Sequence, residues 1–395
     1  MNRRHCAIAT LLITLGLHGA VALGQPATGG ASSAAGTGRP AAVAPPAPTP
    51  PPAVAAPVTV PQTAYGDPGG NKAVIVDFVT RNLTNLMNDA DTAAQTNARN
   101  NLSAATITAG APASPTFLFE YGKALNDAFV PKLEPKANAT VRQRLNIAIV
   151  TAKVAYVADN VTLQATTIKL INDPAEPVML WGLKAAQKQV PLILKVKTPG
   201  ATGAPPMLAA IAPAVFKHPS GPVFAEAYLA LTAVDPLVYT ELIKLWGNRL
   251  SQYQGKDAPD DPEVDGRPVF TLSTSEMWKS VLNNPAAQSK VMQMISDQTS
   301  VAAQWADKTP AGDKHDQLVK LVVQCAGACS VIGTNVKNPA LTSAAAGPSQ
   351  LNVATMAAGV NMQNLVNPIV AAIKTAFPNV QPPPVVGQPG VALQP

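Results

Sequence analysis

Apolar residues recur roughly every three to four positions from Asn71 onward, the spacing of one face of a helix. Val74, Phe78, Leu83, Leu86 and Met87 fall on one side of a first predicted helix, and Asp91 to Leu102 forms a more polar second one. Pro112 and Pro115 break the chain. The pattern resumes over Thr116 to Val130, with Phe117, Tyr121, Leu125 and Phe129 at successive four-residue steps. The clearest helix runs from Asn138, a capping residue, to about Ala158, and its predicted buried stripe is Val141, Leu145, Ala148, Ile149, Ala152 and Tyr156.

Helix starts are punctuated by an Asx residue before proline: Asp173-Pro174, Asp235-Pro236, Asn284-Pro285, Asn338-Pro339 and Asn367-Pro368. The Asx side chain accepts from free backbone N–H groups, and proline suits the first turn, where no donor is needed. Ser273 and Glu276 are spaced as a capping box before Trp278. Leu192 to Val196 and Val269 to Leu272 are the only β-prone runs and allow at most one small hairpin, while Pro199 to Pro206 and Gly255 to Pro268 read as loops. The predicted class is all-α.

Leu170 to Ala186 reads Leu-Ile-Asn-Asp-Pro-Ala-Glu-Pro-Val-Met-Leu-Trp-Gly-Leu-Lys-Ala-Ala. This segment resembles the second half of a HEAT-type repeat, in which an Asp-Pro turn leads through a Val into an apolar helix ending in Leu-Lys-Ala. Met179 stands where an Arg commonly follows that Val, and the preceding helix, Val141 to Tyr156, would be the partner. The resemblance implies a helical-hairpin array, a curved stack that binds along its concave face. An irregular helical bundle using the same caps is the alternative.

The ends of the chain have a different composition. Asn2-Arg3-Arg4-His5 precedes a mostly apolar run from Cys6 to Val21, followed by the small-x-small steps Ala20-Val21-Ala22 and Ala22-Leu23-Gly24. Residues 1–24 therefore read as a signal peptide. Residues 25–69 are a linker rich in Pro, Ala and Gly, residues 70–377 the helical domain, and residues 378–395 a Pro-rich tail too poor in core-forming residues to pack a domain of its own. The expected location is secreted or periplasmic. No further uncharged apolar stretch of about 18 residues follows, so no membrane span is expected once the signal is removed.

Charged residues are only 13% of the chain, about half of the ~25% usual in a soluble domain. The formal charge of +6 includes Arg3 and Arg4, and the remaining excess is scattered, which argues against a nucleic-acid surface. The densest basic group, Lys184, Lys188, Lys195 and Lys197, reads as a solvated helix face.

Candidate chemistry is sparse. His218 and His315 are the histidines left after the signal, too few for the usual catalytic zinc site, and no nucleophile elbow, phosphate loop or haem-attachment motif occurs. No cofactor is implied. Asp261-x-Glu263-x-Asp265-Gly266 matches the opening of a calcium loop, although Leu272 stands where the bidentate Glu would be; a hydrated acidic loop is the competing reading. Cys325 and Cys329 lie one helical turn apart, either as two small buried residues or as a disulfide across the turn, with a redox or metal pair as a third reading. Trp181, Trp246, Trp278 and Trp305 all fall in helical patterns, as core or interface residues.

These features predict an exported, non-catalytic binding or scaffold protein whose partner is another envelope or secreted component. One alternative is a carboxylate-dependent carbohydrate-active enzyme, with Glu120, Asp127, Glu226 and Glu241 as first candidates for a facing pair. The other is a structural spacer.

Overall fold

A computed structural model describes residues 59–195, 205–355 and 359–386. The expected signal peptide and residues 25–58 of the linker lie outside the described residues, as do most of the Pro199 to Pro206 loop, Lys197 and the last nine residues of the tail. Among the described residues, sixteen α-helices, five short 3-10 turns and one two-stranded hairpin make up the regular elements, so the fold is all-α.

The first six helices surround one apolar core. They are α1 (Gln62–Gly66), α2 (Lys72–Leu86), α3 (Thr92–Ala104), α4 (Pro115–Phe129), α5 (Val141–Val157) and α6 (Gln164–Ile171). Phe78, Phe117, Tyr121, Leu125, Phe129, Ile147 and Val150 fill this core. Tyr121 donates its hydroxyl to the carbonyl of Leu102 at 2.6 Å, so its one polar atom is satisfied inside. The domain begins earlier than expected, because Ala64 is buried and the Tyr65 ring lies 4.3 Å from Phe117.

Helix α7 (Glu176–Lys195) is shared between two cores. Its Val178 and Ala185 face the first, while Met179, Leu183, Ala186 and Val190 belong to a second, larger core. Around that second core lie α8 (Pro206–Lys217), α9 (Gly221–Ala230), α10 (Pro236–Gln252), α11 (Gly266–Ser273), α12 (Ser275–Ser280), α13 (Pro285–Lys308), α14 (Asp313–Asn335), α15 (Pro339–Ala346) and α16 (Met362–Ala376). Helix α14 is long and apolar enough to cross a membrane, yet Leu318, Leu321, Val322, Cys325 and Ile332 are buried against its neighbours.

Several local expectations change. Asp235, Asn284 and Asn338 do accept from the first turns of α10, α13 and α15. Asn367-Pro368 instead sits inside α16, because Asn361 caps that helix and Asp307 of α13 accepts from the backbone N–H groups of Met362 and Gln363. Three free donors, the N–H groups of Met362, Gln363 and Asn364, are thus served before the proline is reached. Helix α5 is capped by Thr140 in a capping box with Gln143, while Asn138 takes a left-handed turn (φ 49°). Its buried face is Ile147, Ala148, Val150, Thr151 and Val154, whereas Val141 and Tyr156 are exposed. Thr274, not Ser273, caps α12. Residues 192–195 continue α7 and Val269–Leu272 lies in α11, while the hairpin forms at Ile107–Thr108 and Ala111–Pro112. Within the Gly255 to Pro268 stretch a 3-10 turn covers Pro262–Asp265 and α11 begins at Gly266.

Packing also continues past Phe377, the expected end of the domain. Val380 and Val386 are buried, and two glutamines of α13 hold the extended chain between them. Gln293 donates to the carbonyl of Gln381 and accepts from its N–H, at 3.2 and 2.6 Å. Gln304 does the same for the carbonyl of Pro384 and the N–H of Val386, at 3.0 and 2.9 Å. Prolines 382 to 384 lack backbone donors, so an extended segment fixed by side chains suits them better than a helix or a sheet.

Gly182 marks the tightest approach of α7 to α6. A Cβ there would lie 2.7 Å from the backbone nitrogen of Ile171 and 2.8 Å from the carbonyl carbon of Leu170. Backbone cannot yield as a side-chain tip can, so Gly182→Ala should lower the unfolding free energy by about 1–3 kcal/mol. Thermal or urea unfolding followed by circular dichroism measures it, and an unchanged midpoint would contradict this account of the interface.

Candidate functional site

Helix α10 begins on Asp235-Pro236, with the Asp235 carboxylate accepting from Leu237 N–H at 2.9 Å. From that start, its residues at helical spacing divide between two environments. Leu242, Leu245, Trp246 and Arg249 point into the core, and Ile243, Gly247 and Leu250 edge a cavity of about 680 Å³. Its opposite wall is α13, which supplies Ser289, Lys290, Gln293, Met294 and Asp297, one face at i, i+1, i+4, i+5 and i+8. Lys244, Asn248 and Ser251 of α10, Phe216 of α8 and Asn379, just after α16, complete the lining. The volume lies within the range of sites that take small ligands.

Two side chains join the walls beside the cavity. The Trp246 indole N–H donates to Gln298 Oε1 at 3.0 Å, fixing α10 against α13. Gln293 reaches from the cavity to the C-terminal segment, as described above, and also donates to Asp297 Oδ1 at 2.9 Å. Asp297 itself is completely buried, and its second oxygen, Oδ2, meets no hydrogen-bond donor. Burial without a cationic partner disfavours the charged form and pushes the carboxyl up to about 7, with the Gln293 hydrogen bond opposing the shift.

Behind the core face of α10 lies a second buried polar cluster. The Arg249 guanidinium donates Nε–H to both oxygens of Asp265, at 3.1 and 3.2 Å, and both residues are essentially inaccessible. Tyr253 donates its hydroxyl to Asp265 Oδ2 at 2.6 Å, and the Tyr228 hydroxyl lies 3.4 Å from Oδ1. Arg249 also donates to Gln252 Oε1 and to the carbonyl of Asp260, and it stacks 5.1 Å from the Phe224 ring. Burial holds the Asp265 carboxyl above the usual carboxylate range even though Arg249 and the two hydroxyls favour its charge, and burial likewise raises both tyrosines.

This arrangement redirects the acidic run that resembled a calcium loop. Asp265 turns inward to Arg249, Glu263 pairs with Lys320 at 3.1 Å, and Asp261 adopts a left-handed conformation (φ 51°) at the start of a 3-10 turn. Asp265 and Glu263 are therefore spent on different partners, and among the described residues no group of three or more His, Cys, Asp or Glu is placed to hold a metal ion. Cys325 and Cys329 are free, buried thiols on α14. Burial pushes the Cys325 thiol up to about 12 and the Cys329 thiol well above its ordinary value, so both stay protonated and serve as core packing.

The four carboxylates considered for hydrolysis are dispersed. Glu120 pairs with Lys72 at 3.0 Å, Asp127 with Lys123 at 3.5 Å, Glu226 with Lys184 at 3.7 Å and Glu241 with Lys244 at 2.8 Å. None of them lines the α10–α13 cavity. Ser220 gives its hydroxyl to Glu176 at 2.8 Å, not to His218, and His315 faces Asp316 at 3.3 Å. The indoles of Trp278 and Trp305 donate to the carbonyls of Leu272 and Tyr253, and Trp181 lies under Lys184 at 4.6 Å. Lys188 covers Tyr156 at 4.1 Å, so this part of the basic group packs on aromatic faces.

A second concavity, about 870 Å³, lies between α9, α11 and α14. Leu229, Phe270, Ala328 and Val331 make it apolar, and Phe270 at its edge is 73% exposed. No protein-family model matches this chain, and no curated protein or solved structure is significantly similar to it.

Two predictions separate the roles of these polar groups. Arg249→Met leaves the Asp265 carboxylate buried without its cation and should cost about 3–5 kcal/mol, whereas Arg249→Met combined with Asp265→Leu should recover much of the loss. Denaturant unfolding of both variants checks this, and equal instability would contradict it. For Asp297 the folded pKa is raised, so its contribution is fully favourable below the unfolded value near 4 and is lost as pH rises through about 7. Asp297→Asn should therefore match the wild type near pH 4 and exceed it by about 2–4 kcal/mol at pH 8. Parallel stability–pH curves for the two proteins would rule out the buried, unpaired carboxylate.

Proposed function

We propose that this chain is an exported, non-catalytic binding protein of the envelope or extracellular space, with the α10–α13 cavity as its recognition site. The single observation carrying this reading is that cavity, a mainly apolar recess of ligand size between two helices, with Asp297, a buried carboxylate one of whose oxygens has no donor, among its lining residues. Export is supported by the basic, apolar and small-x-small succession of the first 24 residues, and a tether by the Pro/Ala/Gly-rich stretch behind it. The HEAT-like reading of Leu170 to Ala186 is compatible with binding. Here the Asp173 turn is tied by Arg144 of α5, whose Nε lies 2.6 Å from the carboxylate, in place of an Arg at Met179. The partner in this proposal is another envelope or secreted component.

Hydrolysis by paired carboxylates needs two acids facing one another across a cleft. The α10–α13 cavity offers one, Asp297, together with Lys244 and Lys290.

Gly247 gives a way to close the recess without touching its polar groups. A Cβ at Gly247 would meet only the Met294 methyl, at 3.9 Å, so Gly247→Leu extends into open cavity space and also replaces glycine inside a helix. Full-length wild type and Gly247→Leu should be compared by affinity capture from envelope and secreted fractions of the source cell. A component retained by the wild type and depleted about tenfold or more in the variant is expected, equivalent to about 1.4 kcal/mol. Equal retention by both proteins would sink the assignment of recognition to this cavity.

A further inference from the structure

We infer that the α10–α13 cavity takes an apolar ligand ending in a primary ammonium, with the Asp297 carboxylate as its counter-ion; this rests on the cavity being the recognition site. The apolar part of the cavity wall is Phe216, Ile243, Gly247, Leu250 and Met294, which offers an alkyl chain dispersion contacts, while Asn248, Ser251, Ser289 and Asn379 are polar residues in the same lining. Among the lining residues Asp297 is wholly buried, yet only one of its two oxygens is used, by Gln293. Oδ2 has acceptor capacity and no donor. An unpaired acceptor in such a place is costly, and an ionised one more so, so a ligand supplying an N–H and a positive charge gains most there.

The charge pattern of the cavity decides the sign of the ligand. The other titratable groups lining it are Lys244 and Lys290. Lys244 is half exposed and already paired with Glu241 at 2.8 Å, and Lys290 is exposed at the outer end of the α13 face. Water screens both, so their repulsion of a buried ammonium is small beside the attraction of a desolvated carboxylate. A fatty carboxylate would instead bring a second negative group towards Asp297. The neutral tail of the ligand selects the cavity, and its head group selects Asp297.

Calorimetric titration of the full-length protein with octylamine, octanol and octanoate tests this, because the three probes share one chain and differ in the head group. At pH 8 octylamine should bind at least about tenfold more tightly than octanol, and octanoate should bind weakest. The preference should vanish in Asp297→Asn, and Gly247→Leu should abolish binding of all three. The amine stays charged across the range, so its affinity should rise between pH 6 and pH 8 as Asp297 ionises, while that of octanol should not. Octanoate binding most tightly would assign the recess to anions held by the lysines and overturn the inference. Equal affinities, or a preference surviving in Asp297→Asn, would overturn it as well. If none of the probes binds the wild type, the ammonium inference falls, and the capture comparison with Gly247→Leu still decides separately whether the cavity is a recognition site.

Discussion

The buried pair of Arg249 and Asp265 is the constraint on which the larger core depends. A guanidinium and a carboxylate withdrawn from water are tolerated only when nearly every donor and acceptor is used. Here Tyr253, Tyr228, Gln252 and the carbonyl of Asp260 complete the set, with the Phe224 ring against the guanidinium. These partners come from α9, α10 and the segment leading into α11. The pair therefore fixes the rotation of α10 about its own axis. With Arg249 held inward, Ile243, Gly247 and Leu250 must face α13, and the cavity follows from that orientation.

Helix α13 shows the same tension from the other side. Ser296, Asp297, Gln298 and Thr299 are four consecutive polar residues, all fully buried, because neighbours enclose the helix around its whole circumference. Thr299 satisfies itself by donating to the carbonyl of Ile295, and Gln298 accepts from Trp246. Ser296 Oγ, Gln298 Nε2 and Asp297 Oδ2 are left without partners. Such residues are uncommon in a core, and their presence beside a ligand-sized recess is what the proposed recognition site rests on. The C-terminal segment from Gln381 to Val386 belongs to the same construction, since Gln293 connects it directly to Asp297.

Much of the fold was legible in the residues. The spacing of Phe117, Tyr121, Leu125 and Phe129 placed α4 and its buried face, and the Asx-Pro steps at 235, 284 and 338 marked three helix starts because a cap is a local interaction. Asn367-Pro368 misled because Asp307, remote in sequence, caps the helix one and a half turns earlier. Val141 and Tyr156 were assigned to a buried stripe by periodicity alone, but which side of α5 is covered depends on α3 and α7. The candidate site was less visible. Asp265 sat inside an acidic run that reads as a solvated or calcium-binding loop, and only the distant Arg249 turns it inward. Asp297 lay in a stretch of five polar residues, Ser296 to Ser300, that any hydropathy pattern assigns to the surface. A single sequence carries no signal of tertiary enclosure, and the site exists because of it.

The central claim is that Asp297, among the residues lining the α10–α13 cavity, is a desolvated carboxylate without a cationic partner. The most direct test follows the side-chain carboxyl carbon of Asp297 by NMR while the full-length protein is titrated. A midpoint near 7 is predicted, set by burial and opposed only by the Gln293 hydrogen bond. A midpoint near the ordinary value of about 4 would mean that water or a cation already serves this carboxylate, and would contradict the account of the site.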